Sequence, residues 1–329
     1  MRPRDILLAV GVAAVWGLNF LSIKLGLDRM PPLLFCALRL LAVALPLLVI
    51  RRGPGVPWRW AIASALCLGV VHFSLFFWGI AEGMPAGLTS LVLQSQAIFT
   101  VLLAAPLLRE RPGARQIGGL ALATGGMAVV AAGVGGERPP FAFALVVASA
   151  AFWGMNNVIM RKAAPPDMVR FMMWVGALGG LPLLGISFAA EGFSADLAAV
   201  RAIDLTGLGA LAYTSVLSTL VGFGLWGVLI RRYGAGTVAP FSMLVPFTGM
   251  SSAAIFLGER LALTDVLGGL LVVGGILLGA VTLRRRSRPA ASPAASPAAE
   301  TGRVTSATPA SQPADDARAG GRRPVPSGA

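Results

Sequence analysis

The sequence predicts an all-α integral membrane protein in which ten transmembrane helices form two inverted five-helix repeats. The first observation behind this prediction is composition. Apolar residues make up 56% of the 329-residue chain and charged residues 12%, with a mean hydropathy of +0.78. Average soluble domains carry roughly 25% charged residues. The other two observations are an internal duplication and an uneven distribution of basic residues along the chain.

Each of the apolar stretches is long enough to cross a hydrocarbon core of about 30 Å, for which a helix needs about 20 residues. The first contains Asn19 and Lys24 and recurs in the middle of the chain, so we do not expect it to be a cleavable signal peptide. The ten predicted spans cover residues 5–25, 33–51, 60–80, 86–108, 115–132, 141–160, 168–188, 206–230, 236–257 and 264–284.

Two sequence markers carry the duplication. The segment around Trp16 recurs around Trp153 at a shift of 137 residues, and the Glu-Arg pair that begins at Glu110 recurs at Glu259 at a shift of 149. The difference predicts about a dozen extra residues in the second half, in the stretch 191–204. Because each repeat has an odd number of spans, the second repeat enters the membrane inverted relative to the first.

Basic residues are concentrated in alternate connections, which the positive-inside rule assigns to the cytoplasm together with both termini. The net charge of +13 is therefore explained by topology, and no nucleic-acid partner is predicted. The cytoplasmic set is Arg2, Arg4, Arg51, Arg52, Arg59, Arg109, Arg111, Arg115, Arg161, Lys162, Arg170, Arg231, Arg232, Arg284, Arg285, Arg286 and Arg288. The outer set is Lys24, Arg29, Arg138, Arg201 and Arg260.

These boundaries divide the chain into three predicted parts. Residues 1–137 form the first repeat and residues 138–286 the second. Residues 287–329 are rich in Ala, Pro and Ser, which predicts a disordered cytoplasmic tail. Within the second repeat, Pro240 and Pro246 make the ninth span the candidate for a broken helix, because proline removes helical hydrogen bonds.

The templates of enzyme active sites are missing from the sequence. There is one histidine in the chain, with no His/Cys/Asp/Glu cluster at metal-ligand spacing, no phosphate-binding loop and no nucleophile elbow. We therefore expect no enzyme, no cofactor and no metal. Duplicated apolar halves instead favour a transporter whose substrate binds near the midplane between the repeats. A scaffold or receptor would have a sealed core in that place.

Arg39 is the main candidate for substrate binding, because a charged side chain inside a span costs about 2.5–3.5 kcal/mol on insertion scales. It lies between two leucines in the second span. It would either offer a fixed cation to a substrate carboxylate, or have a structural role in which it extends to the outer interface or donates to carbonyl groups of a neighbouring helix. The sequence does not separate these two interpretations.

Other polar residues within the spans have two interpretations each. His72 would relay a proton, or would be a neutral histidine held by one neighbouring helix. Gln94 and Gln96 are two positions apart, so only one of them faces a cavity squarely. The repeat counterparts Asn19 and Asn156 would bind the substrate or join helices.

Four aromatic residues, Trp16, Trp153, Tyr213 and Trp226, are further candidates for the lining of the substrate pathway. Aromatic residues near the ends of spans also serve as anchors at the membrane interface.

The motifs resemble those of the EamA family of the drug/metabolite transporter superfamily. They are Trp16-Gly17-Leu18-Asn19, Leu38-Arg39-Leu40, Val238-Ala239-Pro240 and Gly258-Glu259-Arg260-Leu261. Met84-Pro85-Ala86-Gly87-Leu88 followed by Gln94-Ser95-Gln96-Ala97 looks most like the O-acetylserine/cysteine exporter branch.

This resemblance implies a secondary transporter that exports small amino-acid metabolites across a bacterial inner membrane by alternating access. Efflux of drugs or other small apolar metabolites is the alternative. The expected partners are a small-molecule substrate and the lipid bilayer. Protons are a candidate coupling ion, with His72 as the candidate carrier, and a second copy of the chain is a candidate homodimer partner.

Overall fold

The computed structural model describes residues 1–50, 52–110, 112–134 and 139–280. These residues form helices joined by short connections, and ten helical segments follow the ten predicted spans. We label them α1 Pro3–Leu27, α2 Pro32–Leu48, α3 Trp58–Ala81, α4 Ala86–Leu108, α5 Ala114–Ala132, α6 Pro140–Ala163, α7 Met168–Arg201, α8 Leu205–Tyr233, α9 Ala239–Leu257 and α10 Leu263–Ala280.

Length and composition identify most of these helices as membrane-crossing. Seven of the helices in the described residues are long and apolar enough to span a bilayer, and α2 and α10 are shorter apolar helices. The remaining one, α5, has 19 residues and begins with the polar pair Arg115 and Gln116. The predicted all-α membrane fold is therefore confirmed, while the predicted tail, residues 287–329, lies outside the described residues.

The contacts between helices are the same when the first five helices are exchanged with the last five. α1 packs against α9, and its counterpart α6 packs against α4. α1 also contacts α8 as α6 contacts α3, while α2 pairs with α7 and α5 pairs with α10. Each contact thus has a counterpart under the exchange, as expected for inverted repeats around a pseudo-two-fold axis in the membrane plane.

Glycines bring α5 and α10 into backbone contact across this axis. A Cβ atom added to Gly126 would lie 2.7 Å from the carbonyl oxygen of Gly268, and the reverse distance is also 2.7 Å. Gly119 and Gly275 make the same reciprocal approach two turns away. Close packing of small residues joins helices in lipid, where water supplies no driving force between them.

Helices α4 and α9 end at equivalent positions in the left-handed backbone region. Gly258 has a φ of 67° after α9, and Arg109, its counterpart at the shift of 149, has a φ of 56° after α4. Glycine adopts this conformation freely, whereas for a residue with a Cβ atom the conformation costs roughly 1–2 kcal/mol of free energy. The same turn therefore precedes the Glu-Arg marker in both repeats.

Helices α4 and α9 are also interrupted at equivalent depths. The predicted break in α9 is present as a 3₁₀ segment, Ala239–Leu244, that begins next to Pro240. A shorter 3₁₀ segment in α4, Leu93–Ser95, occupies the corresponding position without any proline. Tighter turns of this kind within a helix rotate the side chains that follow and often mark a functional hinge.

Helices α3 and α8 each contain turns that are wider than those of an α-helix. Residues Ala65–His72 of α3 and Tyr213–Val221 of α8 are π-helical. The two segments occupy equivalent positions in the two repeats. The segment of α3 packs against α6 and α7, and the segment of α8 packs against α1 and α2. π-helical turns are rare and are found frequently at functional sites.

Candidate functional site

Arg39 contacts the π-helical segment of α8 and the residue that follows the π-helical segment of α3. It is the eighth residue of α2, about 10 Å along the helix from its predicted outer end. Its side chain is 4% exposed, and its Nη2 donates a hydrogen bond to Thr219 Oγ1 at 3.2 Å. The guanidinium carbon lies 4.1 Å from the ring centroid of Phe73. Among the described residues, Arg39 Nε and Nη1 have no hydrogen-bond partner.

This environment satisfies Arg39 only in part. The contact with the Phe73 ring is a cation–π interaction, and the bond to Thr219 uses one of five N–H groups. An arginine in an apolar region normally has its donors paired, because each unpaired buried donor costs free energy. Arg39 is therefore a buried cation with hydrogen-bonding capacity left for an anionic group.

His72 ends the π-helical segment of α3 and is bonded to α6. Its Nδ1 lies 3.0 Å from the carbonyl oxygen and 2.7 Å from the Oγ of Ser149. Since a carbonyl oxygen only accepts, Nδ1 is the donor in the first contact. Ser149 Oγ in turn donates to the His72 carbonyl oxygen at 3.0 Å. The imidazole ring also packs 5.2 Å from Trp153, so these contacts join α3 to α6.

The two glutamines of α4 have different surroundings. Gln94 Nε2 lies 3.8 Å from the sulfur of Met243, which is its own counterpart in α9 at the shift of 149. This contact therefore lies close to the pseudo-two-fold axis. Gln96 Oε1 accepts a hydrogen bond from Asn157 Nδ2 at 2.6 Å, and this bond joins α4 to α6. Of the two side chains, Gln94 is the one that lies close to the pseudo-two-fold axis.

The two asparagines that correspond in the repeats also differ. Asn156 Oδ1 accepts a hydrogen bond from Ser64 Oγ at 2.6 Å, which joins α6 to α3. Asn19 is 8% exposed, and its Oδ1 has no partner among the described residues. Asn156 thus uses its side-chain oxygen between helices, whereas Asn19 keeps its own oxygen unused.

The aromatic candidates fall into two groups. Trp16 donates from Nε1 to the carbonyl oxygen of Ser218 at 3.0 Å, and its ring lies 5.0 Å from that of Trp226. The Tyr213 hydroxyl donates to the carbonyl oxygen of Val15 at 3.0 Å. These residues form the contact between α1 and α8, and Trp153 belongs to the separate group around His72.

Carboxylates of the second repeat hold helix starts of the first repeat at the predicted outer end. Glu259 accepts hydrogen bonds from the first two N–H groups of α4, at 2.7 and 2.9 Å. Glu191 accepts from two N–H groups in the first turn of α2, at 2.8 and 2.9 Å. The counterpart of Glu259, Glu110, instead pairs with Arg161 at 2.9 Å, and both of these side chains are exposed.

Packing between α4 and α9 runs along their predicted outer halves, where Gly87 meets Ala253 and Ser90 meets Gly249. Together with the two carboxylate contacts, this packing joins the two repeats at the predicted outer end. Sequence reasoning used Glu259 only as a marker of the duplication and did not identify Thr219, Phe73 or Glu191. The repeated Glu-Arg pair was the available signal for Glu259, whereas the partners of Arg39 depend on packing.

The family model described as the EamA-like transporter family matches residues 4–132 and again residues 140–280. The chain belongs to this family. Each match covers five of the ten helices, in agreement with the duplication. The EamA assignment makes the protein a multi-pass membrane transporter and not an enzyme. The described residues contain no group of three or more His, Cys, Asp or Glu side chains arranged to hold a metal ion.

EamA relatives whose names state a function match almost the whole membrane region. A probable amino-acid metabolite efflux pump of Escherichia coli K12 is 37% identical over 292 residues, covering 87% of this chain and 98% of the relative. The corresponding pump of Salmonella typhimurium is 38% identical with the same coverage. A probable terminal-alkyne amino-acid exporter of Streptantibioticus cattleyicolor is 30% identical, covering 82% of this chain and 92% of the relative.

A protein of known crystal structure has the same fold with little sequence similarity. It superimposes with a TM-score of 0.58 at 17% identity, covering 88% of this chain and 100% of that chain. At this identity the likeness concerns the fold alone, and it is consistent with the ten-helix arrangement described above.

Proposed function

We propose that this EamA protein is a secondary transporter that exports small amino-acid metabolites, such as O-acetylserine and cysteine, across the bacterial inner membrane by alternating access. Two relatives that cover 87% of the chain are named as probable amino-acid metabolite efflux pumps. Arg39 supplies the observation on which the proposal mainly rests, because its free N–H donors match the carboxylate that all amino acids carry.

Efflux of drugs or other apolar metabolites remains the alternative, and the surroundings of Arg39 argue against it. An apolar substrate would leave the Nε and Nη1 donors of Arg39 unpaired inside the protein. Leaving such donors unpaired costs roughly 1–3 kcal/mol, and more for a charged group. A carboxylate removes this cost and gains charge-assisted hydrogen bonds.

The helix arrangement supports alternating access. The repeats exchange their contacts around a pseudo-two-fold axis, and the 3₁₀ segments of α4 and α9 meet near that axis through Gln94 and Met243. In the described arrangement these helices pack along their predicted outer halves, while Glu110 of the first repeat pairs with exposed Arg161. Exchange of the two repeats would close the opposite end, so the same site would be reached in turn from each side.

Transport by the purified full-length protein in proteoliposomes tests this function. Cysteine and O-acetylserine should be transported, and an uncharged apolar dye should not compete with them. Arg39→Gln should weaken substrate binding by about 10- to 150-fold, from the loss of about 1.5–3 kcal/mol of charge-assisted hydrogen bonding. Arg39→Lys should recover part of this loss, because one ammonium does not reproduce the planar guanidinium fork.

The melting temperature separates a binding role of Arg39 from a structural one. Removal of a buried charge should leave insertion into the membrane intact. An Arg39→Gln protein that binds cysteine normally but melts early would assign Arg39 to helix packing. Dye transport without cysteine transport would favour the alternative function. The same liposomes with an imposed pH gradient would show whether protons are the coupling ion, with His72→Gln as the matched variant.

A further inference from the structure

Asn19 and Arg39 have unused hydrogen-bonding atoms of opposite kinds. Asn19 Oδ1 is an acceptor, and Arg39 Nε and Nη1 are donors. In the part of the chain that the structure describes, the other buried polar atoms without a partner belong to Arg170, Asp196 and Thr264. Those three residues lie in the first turn of α7, in the outer extension of α7 and at the start of α10. Only Asn19 and Arg39 lie well inside their spans.

Both residues lie at the same depth in the membrane. Asn19 precedes the end of α1 by eight residues, and Arg39 follows the start of α2 by seven. At 1.5 Å per residue they are about 12 Å and about 10 Å from the predicted outer ends of their helices. Because α1 and α2 are consecutive and run in opposite directions, these two distances refer to the same side of the membrane.

Asn19 and Arg39 also border the same segment of α8. Arg39 donates to Thr219 Oγ1, and Trp16 donates to the carbonyl oxygen of the preceding residue, Ser218. Asn19 follows Trp16 by three residues and therefore lies on the same face of α1, about one turn nearer the outer end. The π-helical part of α8 thus connects the surroundings of the two unpaired groups.

A difference between the repeats explains why Asn19 is unpaired. Asn156 is held by Ser64, and the residue aligned with Ser64 in the second repeat, at the shift of 149, is Tyr213. The longer Tyr213 side chain reaches the Val15 carbonyl oxygen instead of the asparagine. The substitution of serine by tyrosine therefore removes the structural partner of Asn19 and leaves its oxygen free.

We propose that Asn19 and Arg39 together bind a zwitterionic α-amino acid, with the carboxylate at Arg39 and the α-ammonium group at Asn19 Oδ1. This inference rests on the proposed function and adds that a free α-amino group is required. The guanidinium fork suits a carboxylate, and an amide oxygen is an acceptor suited to an ammonium donor. Amino acids with an acylated nitrogen lose the positive charge and two of the N–H donors, and are excluded.

Competition by three related compounds tests the assignment on the full-length protein in proteoliposomes. Cysteine carries both groups, N-acetylcysteine lacks the ammonium group and cysteine methyl ester lacks the carboxylate. Each derivative should bind the parent protein about 10- to 100-fold more weakly than cysteine, the range expected from the loss of hydrogen bonds to a charged group.

Variants then assign each loss to a residue. In Asn19→Leu the ratio of the affinities for cysteine and N-acetylcysteine should fall to nearly one, while cysteine should still bind more tightly than its methyl ester. In Arg39→Gln the preference for cysteine over the ester should be lost, and the preference over N-acetylcysteine should remain. Each residue change and each change of a ligand group thus form a double-mutant cycle. Ser22→Ala, one turn away on α1 and bonded to the Ala210 carbonyl oxygen at 3.4 Å, should keep both preferences.

Four outcomes overturn the inference. If the parent binds cysteine and N-acetylcysteine equally, or if Asn19→Leu keeps the preference, Asn19 does not bind the ammonium group, although the proposed function stands. If the parent binds none of the compounds, the proposed function fails and this inference fails with it. Should Asn19→Leu not fold, Asn19→Asp retains acceptor oxygens and must keep the preference for the free amine, and a lost preference would refute the assignment.

Discussion

Replacement of Glu259 by glutamine should loosen the predicted outer end of the helix bundle. The Glu259 carboxylate accepts hydrogen bonds from the first two N–H groups of α4 at 2.7 and 2.9 Å. Glutamine keeps one acceptor oxygen, so one hydrogen bond and the negative charge at the start of a helix are lost. A hydrogen bond to a charged group contributes about 1.5–3 kcal/mol and a charge at a helix start about 0.3–1 kcal/mol.

Solvent screening reduces this contribution, because Glu259 is only half-buried. We therefore expect a loss of about 1–2 kcal/mol, which increases the opening equilibrium of the outer halves of α4 and α9 by about 5- to 30-fold. Ser90 reports on this opening, because it is 1% exposed and lies against Gly249 of α9.

The assay measures the rate at which a membrane-impermeant maleimide labels Ser90→Cys. The protein should carry Cys36→Ala and Cys67→Ala, since both native thiols are free. Glu259→Gln should increase the labelling rate by the same 5- to 30-fold. Glu110→Gln removes the equivalent carboxylate of the first repeat, which contacts only exposed Arg161 in the described residues, and should leave the rate unchanged. Equal rates in parent and Glu259→Gln, or equal increases in both variants, would refute the reasoning.

Three other predictions concern packing, topology and the tail. Gly126→Ala should lower stability by about 1–3 kcal/mol through overpacking against α10, whereas Gly125→Ala, which meets open space, should leave the melting temperature nearly unchanged. A reporter fused after Arg115 should give a cytoplasmic signal and one fused after Gly136 an exterior signal, and a cytoplasmic signal at residue 136 would contradict the inverted topology. Truncation after Arg288 should leave transport in vesicles unchanged, and a large loss of activity at an equal protein level would show that the tail is needed.

The sequence by itself determined the class of fold and the arrangement of the repeats. In a bilayer, backbone groups must be hydrogen-bonded within each helix, so the length and apolarity of a segment are sufficient to predict a span. The duplicated Trp16 and Glu110 segments predicted two repeats, and the family model matches the chain twice. The prediction of a break in α9 also followed from local chemistry, because Pro240 lacks the N–H group that continues a helix.

Only the tertiary structure decided how the polar residues are used. Asn19 and Asn156 are equivalent in sequence, yet Ser64 occupies the oxygen of Asn156 and no described residue occupies that of Asn19. The 3₁₀ segment of α4 and the π-helical turns of α3 and α8 contain no proline, and the sequence analysis did not predict them. Whether a buried polar atom is paired depends on residues distant in the chain. The periodicity and composition of a single segment carry no information about such partners.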